Sequence, residues 1–181
     1  MRVAPDDSSE QVTQALAGEP LTVEERSAGW VRIRTAYDYS GWVREDELAS
    51  GTGTGFGACP YDDPVEAARS YLGAPYEWGG MTNRGIDCSG LIHMAYRLAG
   101  RLVPRDADQQ EEAAIAVDEA DARPGDLVCF GERGEAHHIA FWLGDGRILH
   151  ATARDGLNAV VEESLENVEA RPIRFVRLTN R

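Results

Sequence analysis

Between residues 49 and 58 the chain reads ASGTGTGFGA, and every periodicity stops there. A run of Gly, Thr and Ser offers no face to pack and no register to hold, so it reads as a flexible linker that divides the chain. On its N-terminal side the pattern is short β: QVTQAL, PLTVEER, GWVRIRT and SGWVR, punctuated by Gly18, Gly29 and Gly41. Val31, Ile33 and Thr35 alternate with Arg32 and Arg34, which puts one face inward and a charged face outward, as in a small barrel.

On the C-terminal side helices come first. Asp62 or Asp63 can cap a helix with Pro64 at its first position, running through Val65, Ala68 and Leu72 to Gly73. A second helix is expected from Cys88 to Gly100, with Leu91, Ala95 and Leu98 on one buried face, and a third over DADQQEEAAIA from Asp106. After Arg123-Pro124-Gly125-Asp126 come strand-length apolar runs LVCF, HIAFWLG, RILHATA, AVVEE and IRFVRL. Helices followed by an antiparallel sheet make an α+β domain. The expected organisation is a barrel over 1–50, a linker over 51–60 and an α+β domain over 61–181.

Charge narrows the function. Acidic residues outnumber basic ones 31 to 18, a net charge of −13, which disfavours a nucleic-acid surface. Every basic residue is Arg, so Schiff-base chemistry and lysine-dependent phosphate loops are excluded. Cys59, Cys88 and Cys129 are too few and too scattered for a disulfide framework, and at least one thiol is free. MRVAPDDSSEQ carries no signal pattern and no apolar run is long enough to span a bilayer, so a cytoplasmic protein is expected from the chain as written, or an exported one if it has been trimmed.

Asp87-Cys88-Ser89-Gly90 lies where a Gly-rich loop meets a helix. A cysteine at a helix N-terminus faces unpaired N–H groups and the positive dipole end, which favours thiolate and begins an oxyanion hole. A buried structural cysteine is the competing reading. His138 and His150, on two successive expected strands, supply the imidazole a nucleophilic thiol needs and a group to orient it. A two-residue Asp145-Gly146 turn would put His150 on the face away from His138. A three-residue loop with Gly146 in a bulge would set His150 opposite Ala140 and diagonal to His138, and that loop is the expectation. Ala140 would then leave room for the Cys88 helix, and His137 would lie in a loop or at the surface.

Pro75-Tyr76-x-Trp78-Gly79-Gly80, Asp87-Cys88-Ser89-Gly90, Pro104-Arg105-Asp106-Ala107, Pro124-Gly125-Asp126-Leu127 and His138…His150 together resemble the NlpC/P60 cysteine peptidase family across residues 64 to 152. GWVRIRT and Tyr39-Ser40-Gly41-Trp42-Val43 resemble a bacterial SH3-type barrel. The resemblance implies a papain-like fold that hydrolyses the bond between γ-D-glutamyl and diaminopimelate or lysine in peptidoglycan stem peptides. It implies Cys88 as nucleophile, His138 as base and then acid, and His150 as the residue orienting His138, with no metal or cofactor. It also implies that Tyr76, Asp87 and Ser89 line the substrate pocket and that the barrel closes one end of it. Asp87 could pair with the free ammonium of an N-terminal L-alanine. Arg105 could grip a substrate carboxylate, with an ion pair to Asp106 or Asp108 as its competing use, and Tyr39 is the barrel residue expected to reach the cleft. Trp78 shapes its loop, and Cys59 and Cys129 are structural. Three rivals stand beside this reading: an amidase or transferase using the same thioester, an inert wall-binding module, and a zinc site of Cys88, His137, His138 and His150.

Overall fold

The computed structural model describes residues 1–49, 51, 53, 55, 57–154 and 156–179. The expected boundary and linker fall partly on Ser50, Thr52, Thr54 and Phe56, which lie outside the described residues.

Three strands, β1 (Leu21–Ser27), β2 (Trp30–Thr35) and β3 (Ser40–Arg44), form an antiparallel sheet in chain order. The alternation in β2 is as its sequence requires: Val31, Ile33 and Thr35 are buried, Arg32 and Arg34 exposed. Val31, Ile33 and Val43 pack with Met1 in a small core, and Arg2 pairs with both Trp42 and Gln11. QVTQAL does not form the expected strand. Beyond Gln11 its polar groups are taken by the other half of the molecule: Thr13 Oγ1 accepts from Arg105 at 3.1 Å and Gln14 Oε1 accepts from the Met81 N–H at 2.9 Å.

The second half opens with α1 (Pro64–Arg69), capped by Asp63, whose carboxylate accepts from the Val65 N–H at 2.9 Å. It ends four residues short of Gly73, because successive i to i−3 bonds from Ser70, Tyr71 and Leu72 tighten the last turn and leave Leu72 exposed. A short hairpin, β4 (Met81–Thr82) and β5 (Gly85–Ile86), leads into α2 (Cys88–Leu98). Then comes α3 (Ala107–Glu112), shorter than expected, since Ile115–Val117 turn into β6 and pair with a later strand.

The remaining strands are β7 (Leu127–Phe130), β8 (His138–Gly144), β9 (Arg147–Arg154), β10 (Leu157–Ser164) and β11 (Ile173–Arg177). They form a six-stranded sheet in the order β10-β9-β8-β7-β11-β6, in which every pairing is antiparallel, so the domain is α+β. Leu91, Ile92 and Ala95 of α2 pack on the Ile139 and Phe141 face of that sheet. Val128, Ala140, Trp142 and Phe175 form a second apolar layer on the opposite face. Ala140 is therefore not the residue that makes room for α2, contrary to expectation.

Helix α2 is buried on nearly every side because the barrel half covers what the sheet does not. Tyr37 lies against His93 with ring centroids 4.4 Å apart, and Glu19 pairs with Arg97 at 3.0 Å in a buried contact. Among the described residues no helix is long and apolar enough to cross a membrane.

Candidate active site

The N-terminus of α2 is fixed by a buried knot of polar groups. Asp87, at the cap position, accepts from the Gly90 N–H at 2.6 Å and the Gly79 N–H at 2.7 Å. Its two oxygens also receive Arg105 bidentately, at 2.9 and 2.7 Å. Arg105 is 1% exposed and spends its remaining donors on Ser89 Oγ, the Gly80 carbonyl and Thr13 Oγ1. Gly90 has to be glycine, since a Cβ there would lie 2.4 Å from the Gly80 carbonyl oxygen. Cys88, the first residue of the helix, follows directly from this arrangement.

Two expectations are corrected here. Arg105 does not present its guanidinium to a substrate carboxylate, and its ion-pair partner is Asp87 rather than Asp106 or Asp108. Asp87 in turn is saturated by protein donors and buried, which removes it as the partner of a substrate ammonium. Ser89 is likewise buried against Arg105.

The other side of the site is a row of side chains on the sheet. His138 opens β8, and its Nε2 lies 2.7 Å from Nδ1 of His150 on β9. The rings meet edge to face with centroids 5.0 Å apart. Nε2 of His150 lies 2.7 Å from Oε1 of Glu163 on β10. The register that permits this is reached by a different route from the expected loop. Asp145 and Gly146, with φ of 50° and 71°, form a two-residue turn, and Leu143 is the extra residue of a bulge between Trp142 and Gly144. The bulge shifts the pairing by one, so that Phe141 opposes Leu149 and the two histidines share a face. Glu163 was not read from the sequence. Its signal is its place two residues beyond Val161, which opposes His150.

The backbone N–H groups of Ile139, the residue after His138, and of Ser89 lie close enough to the Cys88 sulfur to favour its charged form. Burial nevertheless pushes the thiol up to about 12, with the Asp87 charge adding to the rise and the two N–H groups opposing it. Burial pulls His138 down to about 3, helped by the neighbouring histidines, and it lowers His150 as well. The resting pair is thus neutral thiol and neutral imidazole, whereas the helix N-terminus by itself argued for a thiolate. Desolvation of the charged form outweighs the dipole here.

Tyr76 stands near Cys88: burial first, then the Cys88 and Asp87 charges, raise its phenol. Tyr39 does reach out of the barrel, and its hydroxyl donates to Asp106 Oδ2 at 2.9 Å. Asp106 sits at the cap position of α3 yet makes no side-chain cap, and burial raises its carboxyl above the usual range. Trp78 is exposed and donates from its ring to Glu10. His137 is exposed in the loop before β8, and Cys129 is buried in β7 while Cys59 is exposed. Among the described residues no three His, Cys, Asp or Glu side chains are grouped to hold a metal ion.

A family model described as NlpC/P60 matches residues 73–172, more than half of the chain, and one described as the bacterial dipeptidyl-peptidase Sh3 domain matches residues 1–48. The chain is 38% identical over 93 residues to a gamma-D-glutamyl-L-lysine dipeptidyl-peptidase of Bacillus cereus, an alignment covering 50% of this chain and only 28% of that protein. A solved NlpC/P60 family protein, also from Bacillus cereus, covers 91% of this chain and 54% of its own at 25% identity and a TM-score of 0.54. RipD of Mycobacterium tuberculosis, a non-catalytic NlpC/p60 domain protein adapted to peptidoglycan binding, covers 65% of this chain and 96% of its own at 27% identity and a TM-score of 0.54.

Proposed function

The chain belongs to the NlpC/P60 family, and from that premise we propose that it is a cysteine endopeptidase acting on the γ-D-glutamyl–diamino acid bond of peptidoglycan stem peptides. The observation that carries the reading is the His138–His150 hydrogen bond of 2.7 Å on strands packed against the helix headed by Cys88. It commits Nε2 of His138 to His150, and in the proposed reaction Nδ1 takes the thiol proton.

In the reaction the Cys88 sulfur attacks the γ-carbonyl carbon as His138 takes the thiol proton. The Cys88 and Ser89 N–H groups support the oxyanion, since the Gly90 N–H is already held by Asp87. The C–N bond breaks, the leaving amine receives the proton from His138, and a γ-D-glutamyl thioester remains. Water then attacks the thioester, gives its proton to His138, and the free acid leaves with the thiol restored. With His138 low and Cys88 high, the base is bare and the nucleophile protonated at neutral pH, so ionisation belongs to the attack itself.

A free N-terminal L-alanine on the substrate is part of the proposal, with its ammonium received by Asp106 rather than Asp87. Asp106 is half-buried, uses none of its oxygens for capping, and is held from the barrel by Tyr39. A buried carboxylate raised by desolvation gains most from an arriving cation. The inert-module reading draws on RipD, whose non-catalytic character shows that the fold alone does not supply turnover. Cys88, His138 and His150 favour the enzyme here.

The test is digestion of L-Ala-γ-D-Glu-diaminopimelate and its lysine counterpart beside intact sacculi, read by mass spectrometry. Release of L-Ala-γ-D-Glu from the free peptides is expected. Persistent intact peptide would remove the proposal, and transfer to an added amine in place of hydrolysis would favour the transferase.

A further inference from the structure

We propose that Glu163 is a positioning residue which, through His150, decides which ring nitrogen of His138 is free of its proton. The inference rests on the proposed reaction for its consequence, and on geometry for its content.

Glu163 Oε1 is 2.7 Å from His150 Nε2, and His150 Nδ1 is 2.7 Å from His138 Nε2, so three side chains form one unbroken line of hydrogen bonds. Arg154 donates to both carboxylate oxygens at 2.6 and 2.5 Å, and Asn167 adds a third donor at 2.9 Å. An ionised carboxylate only accepts. His150 must therefore carry its proton on Nε2, since the other tautomer would set a ring lone pair against a carboxylate oxygen. A neutral imidazole has one N–H, so His150 Nδ1 is an acceptor and His138 Nε2 is the donor to it. His138 Nδ1 is left bare, and that is the atom the proposed reaction needs for the thiol proton. His150 is 0% exposed, which keeps water from offering it a substitute acceptor.

The same line serves the charged stage. His150, His137, Glu163 and Arg154 are the titratable groups acting on His138, and of these Glu163 is the one that favours its imidazolium. Once His138 has taken the proton, the carboxylate two hydrogen bonds away faces the new positive charge. Asp87, the other carboxylate of the site, is saturated by Arg105 and two backbone N–H groups.

Glu163→Gln keeps the size of the side chain but lets it donate: with its oxygen held by the two donors on the Oε2 side, Arg154 and Asn167, its NH2 faces His150 and both tautomers invert. In the full chain, ¹⁵N spectra of the His138 and His150 rings should show wild-type His138 bare at Nδ1 and Glu163→Gln protonated there. On the stem tripeptide, kcat should fall about 100-fold with KM within about twofold. Glu163→Asp, still an acceptor only, should keep the wild-type tautomers and recover most of that loss. Inverted tautomers in Glu163→Gln support the relay even if the tripeptide is not cut, a result that would sink the proposed function alone. Wild-type tautomers in Glu163→Gln, with kcat within about threefold, overturn the relay. If that variant does not fold, the wild-type spectrum decides: a proton on His138 Nδ1 in the resting protein overturns it as well.

Discussion

Two arginine–carboxylate pairs flank the site, and they differ in burial. Arg105 and Asp87 are 1% and 8% exposed, whereas Arg154 and Glu163 are 36% and 10% exposed. The first pair holds a backbone: Asp87 ties down Gly79 and Gly90, and Arg105 ties the loop to the barrel through Thr13. The second holds a proton: it keeps a carboxylate ionised at the end of the histidine row. One chemical motif thus fixes geometry where water is excluded and fixes protonation where water still reaches the arginine.

The comparison breaks first on the proposed base. His138→Ala should lower kcat/KM on the stem tripeptide by about 10³-fold or more, in the range general-base catalysis supplies, while circular dichroism stays unchanged. A loss under tenfold would mean that the histidine row is not part of the chemistry.

The buried pair should be the costly one for stability. Arg105→Met leaves Asp87 charged and unpaired in the interior, and we expect urea denaturation to show a loss of about 3–5 kcal/mol. Adding Asp87→Asn should recover part of it, because the double variant buries no lone charge. Equal losses in the single and double variants would mean that packing, not charge, is what Arg105 contributes.

Asp106→Asn sharpens the contrast on the substrate side. It should cut kcat/KM about tenfold for peptides with a free N-terminal amine and leave N-acetylated peptides unchanged, as expected for one lost charge-assisted hydrogen bond. An equal effect on both substrates would move the ammonium site elsewhere.

The outer pair should matter least to the fold. Arg154→Ala is expected to cost less than about 1 kcal/mol at neutral pH, with the cost falling further at high salt. Its mark is on the pH dependence. Arg154, Asn167 and His150 hold Glu163 at about 2, below its ordinary 4.5, so its contribution to stability is full above pH 4.5 and fades as the pH falls toward 2. In Arg154→Ala the contribution should be smaller and the fading should end at a higher pH, as acid unfolding curves of the two proteins would reveal.

Much of this was legible in the residues, for physical reasons that also mark where reading stops. Alternation placed β2, the Asp63–Pro64 pair placed the start of α1, and the Gly-rich loop placed Cys88 at the head of α2. The pairing of His138 with His150 followed from parity, although the bulge at Leu143 that delivers it did not, since a bulge is a choice between registers that only packing makes. Arg105 reads as a grip for a substrate carboxylate or a partner of Asp106 or Asp108 because sequence carries no signal for a guanidinium enclosed by Asp87, Ser89 and a barrel threonine. The burial that pushes the Cys88 thiol up is hidden for a related reason: a dipole is visible in a sequence, and the depth of a thiol is not. Residues 115–117 sit in a helix-forming stretch and became strand because β11 needed a partner.

The central claim is that the Cys88 sulfur carries the acyl group. Cys88→Ser keeps a nucleophile-shaped side chain at the head of α2 that is far harder to ionise. Measured on L-Ala-γ-D-Glu-diaminopimelate by mass spectrometry, the wild type should release L-Ala-γ-D-Glu and Cys88→Ser should release none above background, with both proteins showing the same circular dichroism. Turnover by Cys88→Ser within tenfold of the wild type would contradict the account.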